Sequence, residues 1–209
     1  SGLVDLKLPI LLWKNHKVEA GLLFLTFFVT ITVGMTQGIG VGVGLSIAVL
    51  VFKQMRPHFA ELGEIEGVFR NVKRFENAVV REDLLIVRFD ASVNFANHRF
   101  LNSSIKNLID SRKGKVETII LCAESIGYID ASGLGGLENL IDDLEKRGID
   151  FRLSAAIGPV RDVIGTSELM NKIGKTRCFT SIATAIEDID NPGSLGEGLR
   201  KIATQESKE

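Results

Sequence analysis

The sequence predicts a transmembrane α-helical hairpin followed by an α/β domain whose mainly parallel β-sheet is covered by helices. Three observations predict it. From Ala20 to Phe52, 33 positions carry no charged side chain. Basic residues stand on both sides of that run, Lys14, His16 and Lys17 before it and Lys53, Arg56 and His58 after it. Further on, short apolar runs alternate with segments whose apolar residues recur at helical spacing, the pattern of strands joined by crossover helices.

The uncharged run is too long for one upright span. A single helix needs about 20 residues, and 33 would make a rod of roughly 50 Å against a hydrocarbon core of about 30 Å. Two short helices joined by a turn fit better, and Gly34-Met-Thr-Gln-Gly38 supplies the polar, glycine-bracketed break. Basic flanks favour the cytoplasmic side, so a hairpin returns both ends there. Gly34/Gly38, Gly38/Gly42 and Gly40/Gly44 each have GxxxG spacing, which lets helix backbones approach closely in lipid. These five glycines are the candidate membrane-packing residues. They do not make a dinucleotide loop, because the GxGxxG pattern finds Val43 or Ile47 where it needs glycine.

The resulting domain map runs as follows. Residues 1–17 are the end of a preceding membrane segment and a loop, and 18–56 the hairpin, with its turn near 34–38. Residues 57–81 are a linker and the start of the globular domain, 82–190 the domain proper, and 191–209 a polar, disordered tail. Pro57 ends the second helix. Leu84–Phe89 is a strand, and Phe100, Leu101, Ile105, Leu108 and Ile109 define the next helix. Val116–Cys122, nearly all apolar, is a central strand. Leu134, Leu137, Leu140, Ile141 and Leu144 form the clearest helical stripe, closed by Gly148. Ile149–Leu153 is a third strand, Pro159 opens a short helix, and Phe179 precedes a last helix through Ile182, Ala185, Ile186 and Ile189.

Composition narrows the function. The net charge of −1 argues against a general nucleic-acid binder. Residues 1–59 hold five Lys/Arg against two Asp/Glu, so a basic, apolar front end joins a mildly acidic remainder. Cys122 and Cys178 form no CxxC pair and read as reduced packing residues. Gly174-Lys175-Thr176 imitates the end of a P-loop, but Leu169 stands where the motif needs glycine. His16, His58 and His98 have no metal-ligand spacing; His16 and His58 read as interfacial and His98 as a helix-surface residue. Nothing calls for an enzyme, a cofactor or a metal. The chain opens Ser1-Gly-Leu-Val-Asp-Leu6 without Met, a start compatible with the interior of a gene or with an expression scar.

One local constellation carries information: Tyr128-Ile-Asp-Ala-Ser-Gly-Leu134, between a buried strand and the best helix of the chain. Ser132 is placed as that helix's N-cap, with Asp130 in the turn and Gly133 beside it. Ile129-Asp-Ala-Ser-Gly-Leu134 resembles the signature of STAS domains, the fold shared by bacterial anti-sigma-factor antagonists and the tails of SulP transporters. Val87-Arg-Phe-Asp-Ala-Ser-Val-Asn-Phe-Ala-Asn97 resembles the family's strand-to-helix segment, and the Gly-rich arm from Gly38 to Phe52 with Arg56-Pro57 resembles the last SulP membrane helix. The resemblance covers roughly residues 1–190.

The resemblance implies a homodimeric secondary anion transporter for sulfate, bicarbonate or dicarboxylates. It implies a bacterial inner-membrane location, with the STAS domain in the cytoplasm. Its partners would be the lipid bilayer, the remaining transmembrane segments, and a cytosolic regulatory protein at the STAS domain. The hairpin would belong to the gate part, with no substrate-binding residue in this stretch. Ser132 matches the serine that antagonist-type STAS domains phosphorylate. Ser132, Asp130 and Gly133 are therefore the candidate regulatory residues, and a membrane-tethered, phosphorylation-controlled partner switch is the alternative function.

Overall fold

The computed structural model describes residues 17–192. The predictions for residues 1–16 and for the tail from 193 onward lie outside them. The chain divides into two compact units, one ending at Gln54 and the other beginning at Met55.

The first unit is two helices, α1 (Lys17–Thr32) and α2 (Met35–Met55). The break is tighter than the glycine-bracketed segment suggested. Only Val33 and Gly34 separate the helices, and Met35, Thr36 and Gln37 are already helical. Gly34 supplies the reversal with a φ of 130°, which a side chain would strain. At about 1.5 Å per residue, α1 reaches about 24 Å and α2 about 32 Å. By length and composition, α2 can cross a membrane. The hydroxyls of Thr30 and Thr32 donate to the carbonyls of Thr26 and Phe28 one turn back, so neither needs an outside partner. Apolar side chains point outward instead: Phe27, Phe28, Ile31, Ile39, Ile47 and Phe52 are all more than half exposed.

The second unit is a six-stranded mixed sheet in the order β2-β1-β3-β4-β5-β6. The segment read as linker and domain start holds two strands, β1 (Phe59–Ile65) and β2 (Val68–Asn71), paired antiparallel. β1 also runs antiparallel to β3 (Leu84–Phe89). From β3 onward the pairing is parallel, through β4 (Thr118–Cys122), β5 (Asp150–Ser154) and the two-residue β6 (Cys178–Phe179). The connections are α3 (His98–Ser111), α4 (Ala131–Lys146), and the pair α5 (Gly158–Gly165) and α6 (Glu168–Ile173), with α7 (Ile182–Asp190) last. The short α6 and β6 carry too few residues to show a period.

Strand alternation explains why β3 and β4 are apolar on both faces, with Arg88 and Thr118 the exceptions. Leu85, Val87, Phe89, Ile119 and Leu121 face the core shared with α3 to α6. Leu84, Ile86, Ile120 and Cys122 face the opposite core, closed by Ala60 and Leu62 of β1 and by Ile182 and Ala185 of α7. All three crossovers thus cover one face and α7 the other. Arg152 fastens α7, bonding Asp188 at 2.6 Å while its guanidinium lies 5.4 Å from the Phe179 ring centre.

Candidate functional site

The turn between β4 and α4 is built by backbone exchange with the turn after β3. Val93 N donates to Tyr128 O at 3.0 Å, and Asp130 N donates to Val93 O at 3.1 Å. This two-residue parallel bridge extends the sheet beyond its named strands. Asp130 fastens both turns, its Oδ1 accepting from Gly133 N at 2.7 Å and its Oδ2 from Phe95 N at 3.0 Å. Asn97, almost fully buried, fixes the β3–α3 turn by accepting from Asn94 N and donating to Ser92 O.

The cap of α4 is therefore Asp130, with Ser132 one residue inside the helix and exposed. An aspartate two residues before the serine reaches the amide of Gly133 first, so the serine hydroxyl is left facing outward. Gly133 is required by geometry. A Cβ there would lie 2.5 Å from Val93 O and 2.9 Å from Val93 C, where the two turns cross. Phe95 and Tyr128, not singled out from the sequence, flank this turn at 68% and 57% exposure. Tyr128 opens the motif and Phe95 lies in the strand-to-helix segment upstream, but nothing in spacing alone marks an aromatic as unburied.

His98 does not lie on an open helix surface. It packs against Gly136 of α4, and its Nδ1 is buried without a partner. His58 is not merely interfacial either. Its Nδ1 lies 2.6 Å from Asp90 Oδ2, and its carbonyl accepts from Asp90 N at 3.0 Å. Burial pushes the Asp90 carboxyl up, but the hydrogen bonds from Arg88 and His58 outweigh it and hold it below the usual carboxylate range. This pair pins the chain leaving α2 to the exit of β3, two residues before Ser92.

The candidate membrane glycines separate into two groups. Gly38 and Gly42 pack against α1: a Cβ at Gly38 would lie 2.0 Å from Thr30 Oγ1, and one at Gly42 would lie 2.9 Å from Thr26 Cγ2. A Cβ at Gly40 or Gly44 would meet nothing within 4 Å, and Gly34 belongs to the turn. Among the described residues no three His, Cys, Asp or Glu side chains converge on a metal-sized site. Both cysteines are free thiols; burial raises Cys122 and pushes Cys178 up to about 11.

The fold places an amphipathic helix with a capped, exposed first turn at the ends of the two central, parallel strands β3 and β4. Residues 76–185, more than half of the chain, match the STAS domain. The chain belongs to the STAS-domain family. The relatives it matches are sulfate transporters, and their similarity extends well past the domain. It is 30% identical to the probable sulfate transporter 4.2 of Arabidopsis thaliana over 198 residues, 90% of this chain and 29% of that protein. It is 28% identical to a probable sulfate transporter of Mycobacterium tuberculosis over 187 residues, 88% of this chain and 33% of that protein. The chain thus spans about a third of the length of these relatives. The murine Slc26a9 anion transporter has the same fold over 87% of this chain and 30% of its own, with a TM-score of 0.79 at 22% identity.

Proposed function

We propose that this chain is the C-terminal part of a secondary anion transporter of the sulfate class. Residues 17–56 form its last membrane hairpin, on the gate side. The STAS domain is the cytoplasmic regulatory and dimerisation portion. The observation that carries this reading is the joining, in one chain, of an apolar-surfaced hairpin to a STAS domain. Aligned sulfate transporters match this order over 88–90% of the chain. An outward-facing apolar hairpin is stable only against lipid or other membrane helices. In the same reading Ser132 is the residue a regulator meets, because it is exposed on the first turn of α4 while Asp130 and Gly133 do the structural work.

The test is uptake. The gene encoding this chain, with whatever reading frame precedes Ser1, is expressed in a bacterial strain lacking sulfate permeases. Labelled sulfate, bicarbonate and dicarboxylates are then compared. Sulfate accumulation, reduced when residues 57–209 are removed, supports the proposal. No uptake of any of the three anions by a protein shown to be in the membrane rejects it. Cysteines placed at residues 14 and 56 should both resist a membrane-impermeant thiol reagent in intact cells, and labelling of only one rejects the hairpin topology.

A further inference from the structure

Among the charged side chains of the domain, most arginines are neutralised. Arg81, Arg88, Arg112, Arg147, Arg152 and Arg177 each meet a carboxylate. The end of β2 and the tight turn that leaves it depart from this. Among the described residues Arg70, at the end of β2, and Lys73 and Arg74, in the turn, are exposed and make no ion pair, so three free cations fall within five residues. Unpaired cations elsewhere, such as Arg99, stand singly. Phe75, 43% exposed, completes the turn. Asn71 holds it in one shape, its side chain accepting from Lys73 N at 2.9 Å and its carbonyl from Arg74 N at 2.9 Å. The nearby carboxylates do not cancel the charge. Glu61 is taken up by Arg112, Glu64 stands opposite Phe69 on the step next to Arg70 without pairing with it, Glu66 lies at the far end of the β1–β2 hairpin, and Glu76 adjoins the turn.

Position matters as much as charge. β1 starts at Phe59, four residues after the last residue of α2, and runs away from that entry point. β2 returns antiparallel, and Val72 N bonds Glu61 O, so Lys73, Arg74 and Phe75 stand at the end of the domain where the chain enters. Arg56 lies at the same end in the chain, between α2 and β1.

We propose that the turn Arg70–Phe75 is a membrane-docking surface that binds anionic lipid headgroups, with Phe75 inserting at the interface; this rests on α2 spanning the bilayer. A cation cluster gains from a negatively charged leaflet what it does not gain from a neutral one, and an aromatic ring suits the headgroup level. Each basic residue near such a surface is worth about fivefold in local partition, so three together amount to about a hundredfold.

The experiment uses the full chain with Phe75→Trp in a Trp13→Phe background, reconstituted into vesicles with brominated acyl chains. One set is phosphatidylcholine alone; the other also contains phosphatidylglycerol. A second probe, Ile47→Trp in the same background, reports whether α2 is in the bilayer. The expected result is quenching of the residue-75 probe only in the phosphatidylglycerol vesicles. It should be lost in about 1 M salt, where the Debye length falls to about 3 Å, and lost in the Arg70→Gln/Lys73→Gln/Arg74→Gln variant. An unquenched residue-75 probe beside a quenched residue-47 probe overturns this inference and leaves the membrane hairpin standing. Equal quenching in both lipids, or in the triple variant, also overturns it. An unquenched residue-47 probe removes the membrane reading and this inference with it.

Discussion

The hairpin and the domain use the same apolar residues in opposite ways. In the domain Phe89, Leu121 and Leu140 have no exposure at all, and polar side chains make the surface. In the hairpin Phe27, Phe28 and Phe52 are 63–70% exposed, while the closest packing falls on Gly38, which nests against Thr30. Water drives the first arrangement, because burying apolar area is its main stabilising term. In the lipid setting proposed for the hairpin that term vanishes, and close backbone approach between small residues replaces it. The difference teaches that one chain can be read with two solvents in mind, the boundary falling at Met55.

The sharpest way to break that contrast is a matched pair of truncations. Leu121→Ala should cost the domain about 3–5 kcal/mol in denaturant unfolding, since it opens a cavity among fully buried neighbours. Phe28→Ala should change the unfolding of the same detergent-solubilised chain by less than about 0.5 kcal/mol. Comparable losses at both positions would mean that the hairpin hides its phenylalanines in a protein core.

A second pair tests the hairpin against itself. Gly38→Leu drives a side chain into Thr30 and should destabilise the α1–α2 pairing by about 1–3 kcal/mol, whereas Gly40→Leu meets open space. Disulfide trapping between cysteines placed on α1 and α2 reads this directly. Trapping reduced equally by both leucines would remove the distinction between the two glycine faces.

Acid sharpens the comparison at the junction. Asp90 titrates below its unfolded value of about 3.9, so its pairing with Arg88 and His58 adds stability above about pH 4. That contribution is lost as pH falls through the lower, folded value. Asp90→Asn should cost about 1–2 kcal/mol at pH 7, and the gap to the parent chain should close toward pH 3. A gap that stays constant over this range would show that the carboxylate's charge does no work there.

How much of this was legible depended on burial pattern. Leu84–Phe89 and the stripe from Leu134 to Leu144 announced themselves because each presents a strong apolar signal. β1 did not, since Phe59-Ala-Glu-Leu-Gly-Glu-Ile carries two glutamates and a glycine, yet Ala60 and Leu62 close the second core. β2 is a four-residue edge strand with Arg70 and Asn71 in it, and edges tolerate polar residues that hide them. At the motif, the sequence pattern put the cap on Ser132, whereas the structure puts it on Asp130. That choice needed the second turn, where Phe95 N binds the same carboxylate and orients it.

The smallest effect on stability separates those two residues and bears most on function. Asp130→Ala removes the bonds to Gly133 N and Phe95 N and should cost about 0.5–2 kcal/mol. Ser132→Ala, at an exposed position that caps nothing, should stay within about 0.5 kcal/mol of the parent. Ser132→Asp adds a charge at the positive end of a 16-residue helix, worth about 0.3–1 kcal/mol in its favour. Asp130 already occupies that end, so the two carboxylates offset the gain and Tm should barely move. A phosphate at the same place would bring about −1.5 to −2 charge to this exposed turn. The fold can carry that charge, whereas a partner fitted to a neutral hydroxyl cannot. Ser132→Asp should therefore leave thermal unfolding unchanged while lowering partner binding or uptake several-fold, with Ser132→Ala close to the parent in both. If Ser132→Asp matches the parent in uptake and in binding, the exposed serine is an ordinary surface residue and the regulatory reading of this turn falls.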